Sequence, residues 1–430
     1  MSGAHVIALF GLRFLLHRLC IGVTLCPMDI LWIIFLFLLG ACVGSFLNVV
    51  IYRMPRGESI AFPGSHCPAC GRGIAWYDNI PLLSWLVLRG RCRFCKAAIS
   101  PRYILIEAAT ALLVAGLYVC YYVLPVRSGA GHFADTWPMF AAHALLVCGL
   151  LACSAVDIEH WIVPLEVCWF LSLAGLLSAA AAPHPWMPTV SPALGAGGVG
   201  AALGLPLAML LMRYGIIQPS FMDAQDAPAI KEPPKAEKPN GKKHSPKQPI
   251  TAVAYSKQHG VNPRREILRE ALFLLPAILL AVAAHLAVTH VGALNAAWAK
   301  LTSPSVSPAA APHVNGFLAA MGGYLVGGLW VWGMRIFGTL AFGKEAMGMG
   351  DVHLMAAVGA VTGWIVPSVA FFVAPFFGLL WAVYLWLGRN QRELPYGPWL
   401  SAATLMVMVC YDAFASFLRP YAQAIKHLLP

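Results

Sequence analysis

Apolar runs close to 20 residues long recur along this chain, and that recurrence restricts its fold more than any other feature. An α-helix rises about 1.5 Å per residue, so about 20 apolar residues cross a hydrocarbon core of about 30 Å. Such runs fall at 29–51, 103–124, 137–156, 163–182, 191–213, 268–290, 316–338, 366–388 and 397–417. A shorter one at 352–364 reads as a re-entrant or tilted element. Hydrophobic residues make up 59% of the 430 and charged residues only 11%, too few to cover a soluble domain of this size. The expected fold is an all-α polytopic membrane protein with about eight to ten transmembrane helices.

The charges set the orientation. Loop 52–102 holds Arg53, Arg56, Arg72, Arg89, Arg91, Arg93, Lys96 and Arg102, and a second basic cluster runs from Lys231 to Arg265. The loops that alternate with these are nearly free of cations: 125–136 has Arg127, 183–190 has none and 291–315 has Lys300. The positive-inside bias therefore places 52–102 and 214–267 in the cytoplasm and the amino terminus outside. The net charge of +11 reflects this orientation, and no nucleic-acid partner is expected. Residues 1–28 read as an N-terminal extension, with a signal peptide as the alternative, since Arg13, His17 and Arg18 interrupt the apolar stretch and it lacks a clean small-residue cleavage site. Helix 29–51 is the first crossing. Residues 103–213 and 268–430 hold the other transmembrane helices. The segment 214–267 includes "PAIKEPPKAEKPNGKKHSPKQP" and reads as a disordered basic linker. Residues 291–315 read as a Pro/Ala/Ser-rich loop, and no internal repeat stands out.

Four of the twelve cysteines form two pairs in the first loop, Cys67-Pro-Ala-Cys70 and Cys92-Arg-Phe-Cys95. Each C-x2-C can bend two thiolates towards one ion, and two such pairs complete a tetrahedral shell. The loop faces the reducing cytoplasm, where disulfides are disfavoured. The expectation is a structural zinc, with no open coordination position, in a small cytoplasmic zinc-ribbon-like domain spanning 52–102. The plain alternatives are two incidental pairs or a redox dithiol. The other cysteines are scattered through apolar segments and read as small buried hydrophobes.

Acids near the membrane are few. Asp157 lies in "AVDIEHWIVP" after helix 137–156, and Asp351 follows Gly348 and Gly350 in "GMGD". Charges at such depth are costly and usually face a water-filled cavity or a partner. The topology puts both on the cytoplasmic side. Two carboxyls that approach closely cannot both ionise easily, so they share a proton. One can then activate water as a base while the other hydrogen-bonds a scissile carbonyl. Gly348 and Gly350, lacking Cβ atoms, let the backbone turn unusually and a peptide strand come close. Taken singly, GMGD reads equally well as a plain interhelical turn, and Asp157 as a hydrated helix-end acid. Glu107, Glu159 and Asp412 are weaker candidates: Glu159 and His160 read as facing water, and Asp412 as lying near the outer interface.

Together these residues resemble the prepilin peptidases, bacterial inner-membrane aspartic peptidases with a GxGD motif. The resemblance runs over "GSFLNVVIYRMPRGESIAFPGSHCPACGRGIAWYDNIPLLSWLVLRGRCRFCKAAISPRYILIE", then "DIEHWIVP", then "GKEAMGMGDVHLMAAVGAVTGW", with a closing "LPYGPWLSAA". It implies catalytic roles for Asp157 and Asp351. It also implies cleavage, at the cytoplasmic face, of the basic leader of type IV prepilins or type II secretion pseudopilins. Bifunctional members N-methylate the new amino terminus with S-adenosylmethionine, and that donor is implied by the resemblance alone. Partners would be the prepilin substrates, the pilus or secretion assembly machinery and the bilayer. His353 stands where the family commonly has Lys, and Glu159 stands where a second Asp is frequent. Helices 191–213 and 268–290 and the loop between them are an insertion. Two added crossings leave Asp351 on its original side, and the insert reads as a passive linker. The competing readings are a peptidase without methyl transfer, an ion or proton transporter using membrane carboxylates, and a catalytically dead scaffold organised by its metal loop.

Overall fold

A computed structural model describes residues 26–124, 126–182, 184–218, 220, 263–388, 395–417 and 420. Most of the 1–28 extension and most of the 214–267 linker lie outside these residues. Helices occupy Pro27–Arg53 (α1), Leu83–Val87 (α2), Arg102–Tyr118 (α3), Phe133–His160 (α4), Leu165–Ala181 (α5), Pro192–Arg213 (α6), Pro263–His290 (α7), Gly292–Thr302 (α8), Ala311–Phe342 (α9), Met349–Thr362 (α10), Ile365–Gly388 (α11), Gly397–Val409 (α12) and Tyr411–Phe417 (α13). Among the described residues, seven helices are long and apolar enough to cross a membrane: α1, α3, α4, α6, α7, α9 and α11. The pair α12 and α13, bent by 83°, makes an eighth if it counts as one span. Helices α5 and α10 are apolar but shorter. Every apolar run read from the sequence is thus helical.

Three local differences have physical reasons. Residues 292–302, expected as loop, form α8, because "GALNAAWAKLT" is rich in the strong helix formers Ala, Leu and Lys. Helix α4 continues through Asp157 to His160, and ends where Trp161 adopts a left-handed φ of 58° and donates its N–H to the Asp157 carbonyl. Arg127, counted from the sequence as the cation of loop 125–136, is buried, with its guanidinium over the rings of Trp186 and Tyr411.

The chain divides into two compact units. The first comprises residues 1–190, 299–329 and 350–430. Within it α1 and α3 run antiparallel at very short range. A Cβ on Gly44 would lie 2.7 Å from the Glu107 Cα, and one on Gly40 would lie 2.9 Å from the Ala111 Cα. Asn48 Nδ2 donates to the Tyr103 carbonyl at 3.0 Å in the same register. Small residues replace side-chain volume with backbone contact, which is how membrane helices gain packing without a hydrophobic drive between them. The same device seats α10: Gly175 of α5 meets Ala360, and Gly323 and Gly327 of α9 meet Gly359 and Met355. Nearly every side chain of α10 from Asp351 to Thr362 is buried, as expected of a helix that is apolar all round.

The second unit comprises residues 191–298 and 330–349. Here α6 and α7 pair through Gly197, Gly200 and Gly204 against Ala281, Leu280 and Ala277. A charged knot is buried beside them. Arg335 donates from Nη2 to Glu270 Oε1 at 2.9 Å and from Nη1 to Glu345 Oε1 at 2.6 Å, and it also reaches the Met347 carbonyl. Trp332 Nε1 donates to Glu270 Oε2 at 2.8 Å. The inserted helix α7 therefore supplies a buried counter-charge to the segment that precedes GMGD, more than a passive linker would. Removing one partner of a buried pair typically costs about 3–5 kcal/mol, because the other charge is left desolvated. Glu270→Ala should lower the thermal unfolding midpoint of the purified protein sharply, and Glu270→Gln, which keeps the Trp332 bond, by less. Unchanged melting of Glu270→Ala would contradict this reading of the knot.

Candidate active site and metal centre

The loop between α1 and α3 is built from two copies of one turn. Cys67 N donates to Arg72 O and Gly71 N to Cys67 O; Cys92 N donates to Ala97 O and Lys96 N to Cys92 O. Ile74 N bonds Ser65 O, and Ile99 N bonds Gly90 O. The bridges His66–Gly73 and Arg91–Ala98 repeat the match, and both turns close on a left-handed residue, Gly71 at φ 69° and Lys96 at φ 58°. This repeat is invisible to a search for similar residues, because only the C-x2-C frame and the Ile that follows are shared. The four sulfurs of Cys67, Cys70, Cys92 and Cys95 all lie within 4.8 Å of one another and could hold a metal ion. Cys67 Sγ and Cys95 Sγ are 3.8 Å apart. Thiolates about 2.3 Å from a tetrahedral ion stand about 3.8 Å from each other. The Cys92 thiol is pulled down to about 6, first by the Cys95 backbone N–H and then by that of Phe94, so its thiolate is available as a ligand.

The aspartates lie in the first unit. Asp157, in the last turn of α4, is buried, and its Oδ2 accepts the Gly397 N–H at 3.0 Å. Asp351, in the first turn of α10, is buried too. Its carboxylate is near enough to Tyr396 to act on that phenol, which burial first and then Asp351 push up to about 12. Tyr396 and Gly397 are consecutive in "LPYGPW", at the start of α12. A further contact ties their helices: a Cβ on Gly350 would lie 2.8 Å from the Val163 Cβ, in the short segment joining α4 to α5. Gly350 is helical and is required for close approach, not for an unusual φ. Gly348 is exposed and belongs to the second unit. Gly397, not singled out from the sequence, also sits at the site: it donates the N–H that orients Asp157, and a Cβ there would lie 2.7 Å from Asp157 Oδ2.

The weaker acids have other partners. Glu159 is exposed, as expected, and also pairs with Arg102 at 2.5 Å, joining the end of α4 to the start of α3. Glu107 accepts the Leu82 N–H at 2.8 Å, and Asp412 accepts the Ser128 N–H at 2.7 Å.

A model of the bacterial peptidase A24 N-terminal domain matches residues 38–121. The match contains the second half of α1, both cysteine turns and α3. Residues 38–121 are thus similar to an A24 N-terminal domain. Curated relatives extend the likeness beyond the A24 domain. A "Prepilin leader peptidase/N-methyltransferase" of Myxococcus xanthus is 43% identical over 185 residues, covering 43% of this chain and 49% of the relative. A protein of the same name in Klebsiella pneumoniae is 42% identical over 154 residues, 34% of this chain and 61% of that one. A "Type 4 prepilin-like proteins leader peptide-processing enzyme" of Escherichia coli is 41% identical over 166 residues, 34% of this chain and 56% of that one. The matched stretch thus spans about half the length of these relatives. No solved structure matches the chain.

Proposed function

We propose that this protein is a membrane-embedded aspartic endopeptidase that removes the leader peptide of type IV prepilins or type II secretion pseudopilins at the cytoplasmic face of a bacterial inner membrane, and then methylates the new amino terminus. The observation that supports cleavage most is that Asp157 accepts the Gly397 N–H while Asp351 acts electrostatically on the adjacent Tyr396. Two carboxyls at one helix start can divide a single proton. The ionised one takes a proton from water as the water oxygen attacks the scissile carbonyl carbon. The protonated one donates a hydrogen bond to the carbonyl oxygen, and the proton gained by the base passes to the departing amine as the C–N bond breaks. Gly350 and the Gly397 N–H hold the two acids in register, and Gly348 adds a position without a side chain just ahead of α10. Methyl transfer would draw on S-adenosylmethionine, in keeping with the names of the relatives. The four thiolates suit zinc in a structural role, since all four positions are protein sulfurs. Pilus or secretion assembly proteins would be the partners, and residues 52–102 would face the cytoplasm.

Incubating membranes that contain the protein with a synthetic pilin leader substrate and labelled S-adenosylmethionine tests both activities. Loss of the leader mass reports cleavage, and label on the product's first residue reports methylation. An uncut substrate would contradict the proposal, and a cut but unlabelled product would limit it to peptidase activity. Gly350→Ala should lower cleavage strongly, because its methyl must displace Val163, and adding Val163→Gly should restore part of the rate. Full cleavage by the single variant would remove the close approach from the account.

A further inference from the structure

The cysteine-bearing loop carries an apolar surface that its own fold leaves open. Residues 80–88, "IPLLSWLVL", contain no charge. Leu83, Leu86 and Val87 of α2 are exposed, and Trp76 just upstream is 81% exposed. A zinc-ribbon-sized domain in open water would be expected to keep such side chains covered, and a contiguous exposed apolar patch marks a contact surface.

Its depth follows from one hydrogen bond. Leu82 N donates to Glu107 Oε2 at 2.8 Å. Glu107 lies five residues into α3, about 7–8 Å along the axis from Arg102. It is also level with Gly44, well inside the α1 span Pro27–Arg56. The bond therefore sets the start of α2 beside the first turns of α3, where apolar side chains such as Leu105 are exposed. Basic residues frame the patch. Arg89 and Arg91 follow it directly, and Arg72 and Lys96 sit on the two cysteine turns. Arg93 is occupied by Asp78 at 2.6 and 2.7 Å.

We propose that the segment 76–88 lies in the bilayer interface, with Trp76, Leu83, Leu86 and Val87 among the acyl chains and Arg89 and Arg91 on anionic headgroups of the same leaflet. Apolar residues with an aromatic edge and a basic border are the chemistry of interfacial membrane segments. The metal turns would then be a membrane-docked platform, tied to the bundle by the Leu82–Glu107 bond. This placement does not depend on the peptidase reading.

The test uses the full chain loaded with zinc in nanodiscs. Leu86→Cys, with the cysteines other than 67, 70, 92 and 95 replaced, is labelled with an environment-sensitive bimane, and retained zinc reports folding. Brominated phospholipids should remove most of the emission, aqueous iodide should leave it, and Arg89→Glu with Arg91→Glu should weaken the quenching in anionic discs. Val87→Cys serves as the second site if Leu86→Cys loses its zinc. Iodide quenching with no effect of brominated lipid, at either site, would overturn the proposal. So would a label that becomes shielded only after an apolar pilin-like peptide is added, because the surface would then belong to substrate.

Discussion

Replacing Cys67 or Cys92 by serine is expected to unfold the segment between α1 and α3 and to abolish substrate processing, while the membrane helices still insert. The reason lies in what else holds that segment together. Its two turns keep only a few backbone hydrogen bonds and two isolated bridges, and most of its side chains are exposed. A structural zinc in such a setting supplies about 10–16 kcal/mol of folding free energy. Losing one of four thiolates removes much of that, and the remaining apolar burial cannot replace it. Cys67 and Cys92 are the first members of the two pairs and are buried, so their variants should be worse than those at the exposed Cys70 and Cys95. Limited proteolysis between Arg56 and Arg102, with zinc measured in the same sample, checks this. A Cys67→Ser protein that keeps stoichiometric zinc and resists protease would contradict it.

Asp157→Asn and Asp351→Asn should each reduce leader cleavage to background with no loss of insertion or of zinc. Asparagine keeps the shape and can still accept the Gly397 N–H at the 157 position, so the change is confined to proton chemistry. General acid–base catalysis by one positioned group contributes about 10²–10⁴-fold, and groups that act as one unit lose nearly everything together when one is removed. A fall of at least about 10³-fold is expected for each variant. Methylation of a pre-cleaved peptide should survive both substitutions, since that chemistry needs neither carboxyl. A mature-peptide methylation rate that collapses along with cleavage would mean that the substitutions disturb the fold.

The membrane helices are legible in the sequence because their signal is length multiplied by hydrophobicity, and no tertiary contact can hide it. The cysteine centre is legible for a similar reason, since C-x2-C fixes the geometry of two ligands within one turn. What the sequence conceals is what distance along the chain conceals. The Gly397 N–H reaches Asp157 from a helix that begins 240 positions later, and nothing in "PYGPW" announces a donor. Glu270 and Arg335 look like unrelated membrane charges until packing joins them. Gly350 reads as a place where the backbone turns unusually and a peptide strand comes close, yet it is helical and its missing Cβ lets Val163 approach. Helix α4 outruns its apolar run by several residues because Asp157 and Glu159 find partners that let them remain helical.

The central claim, that Asp157 and Asp351 act as one catalytic unit, is tested most directly by comparing single-turnover leader cleavage in the two Asp→Asn variants and in the variant that carries both. If one proton serves both carboxyls, all three rates fall to the same background and the second substitution adds nothing to the first. Losses that multiply in the double variant, or a single variant that cuts at the parent rate, would mean that the two acids work apart.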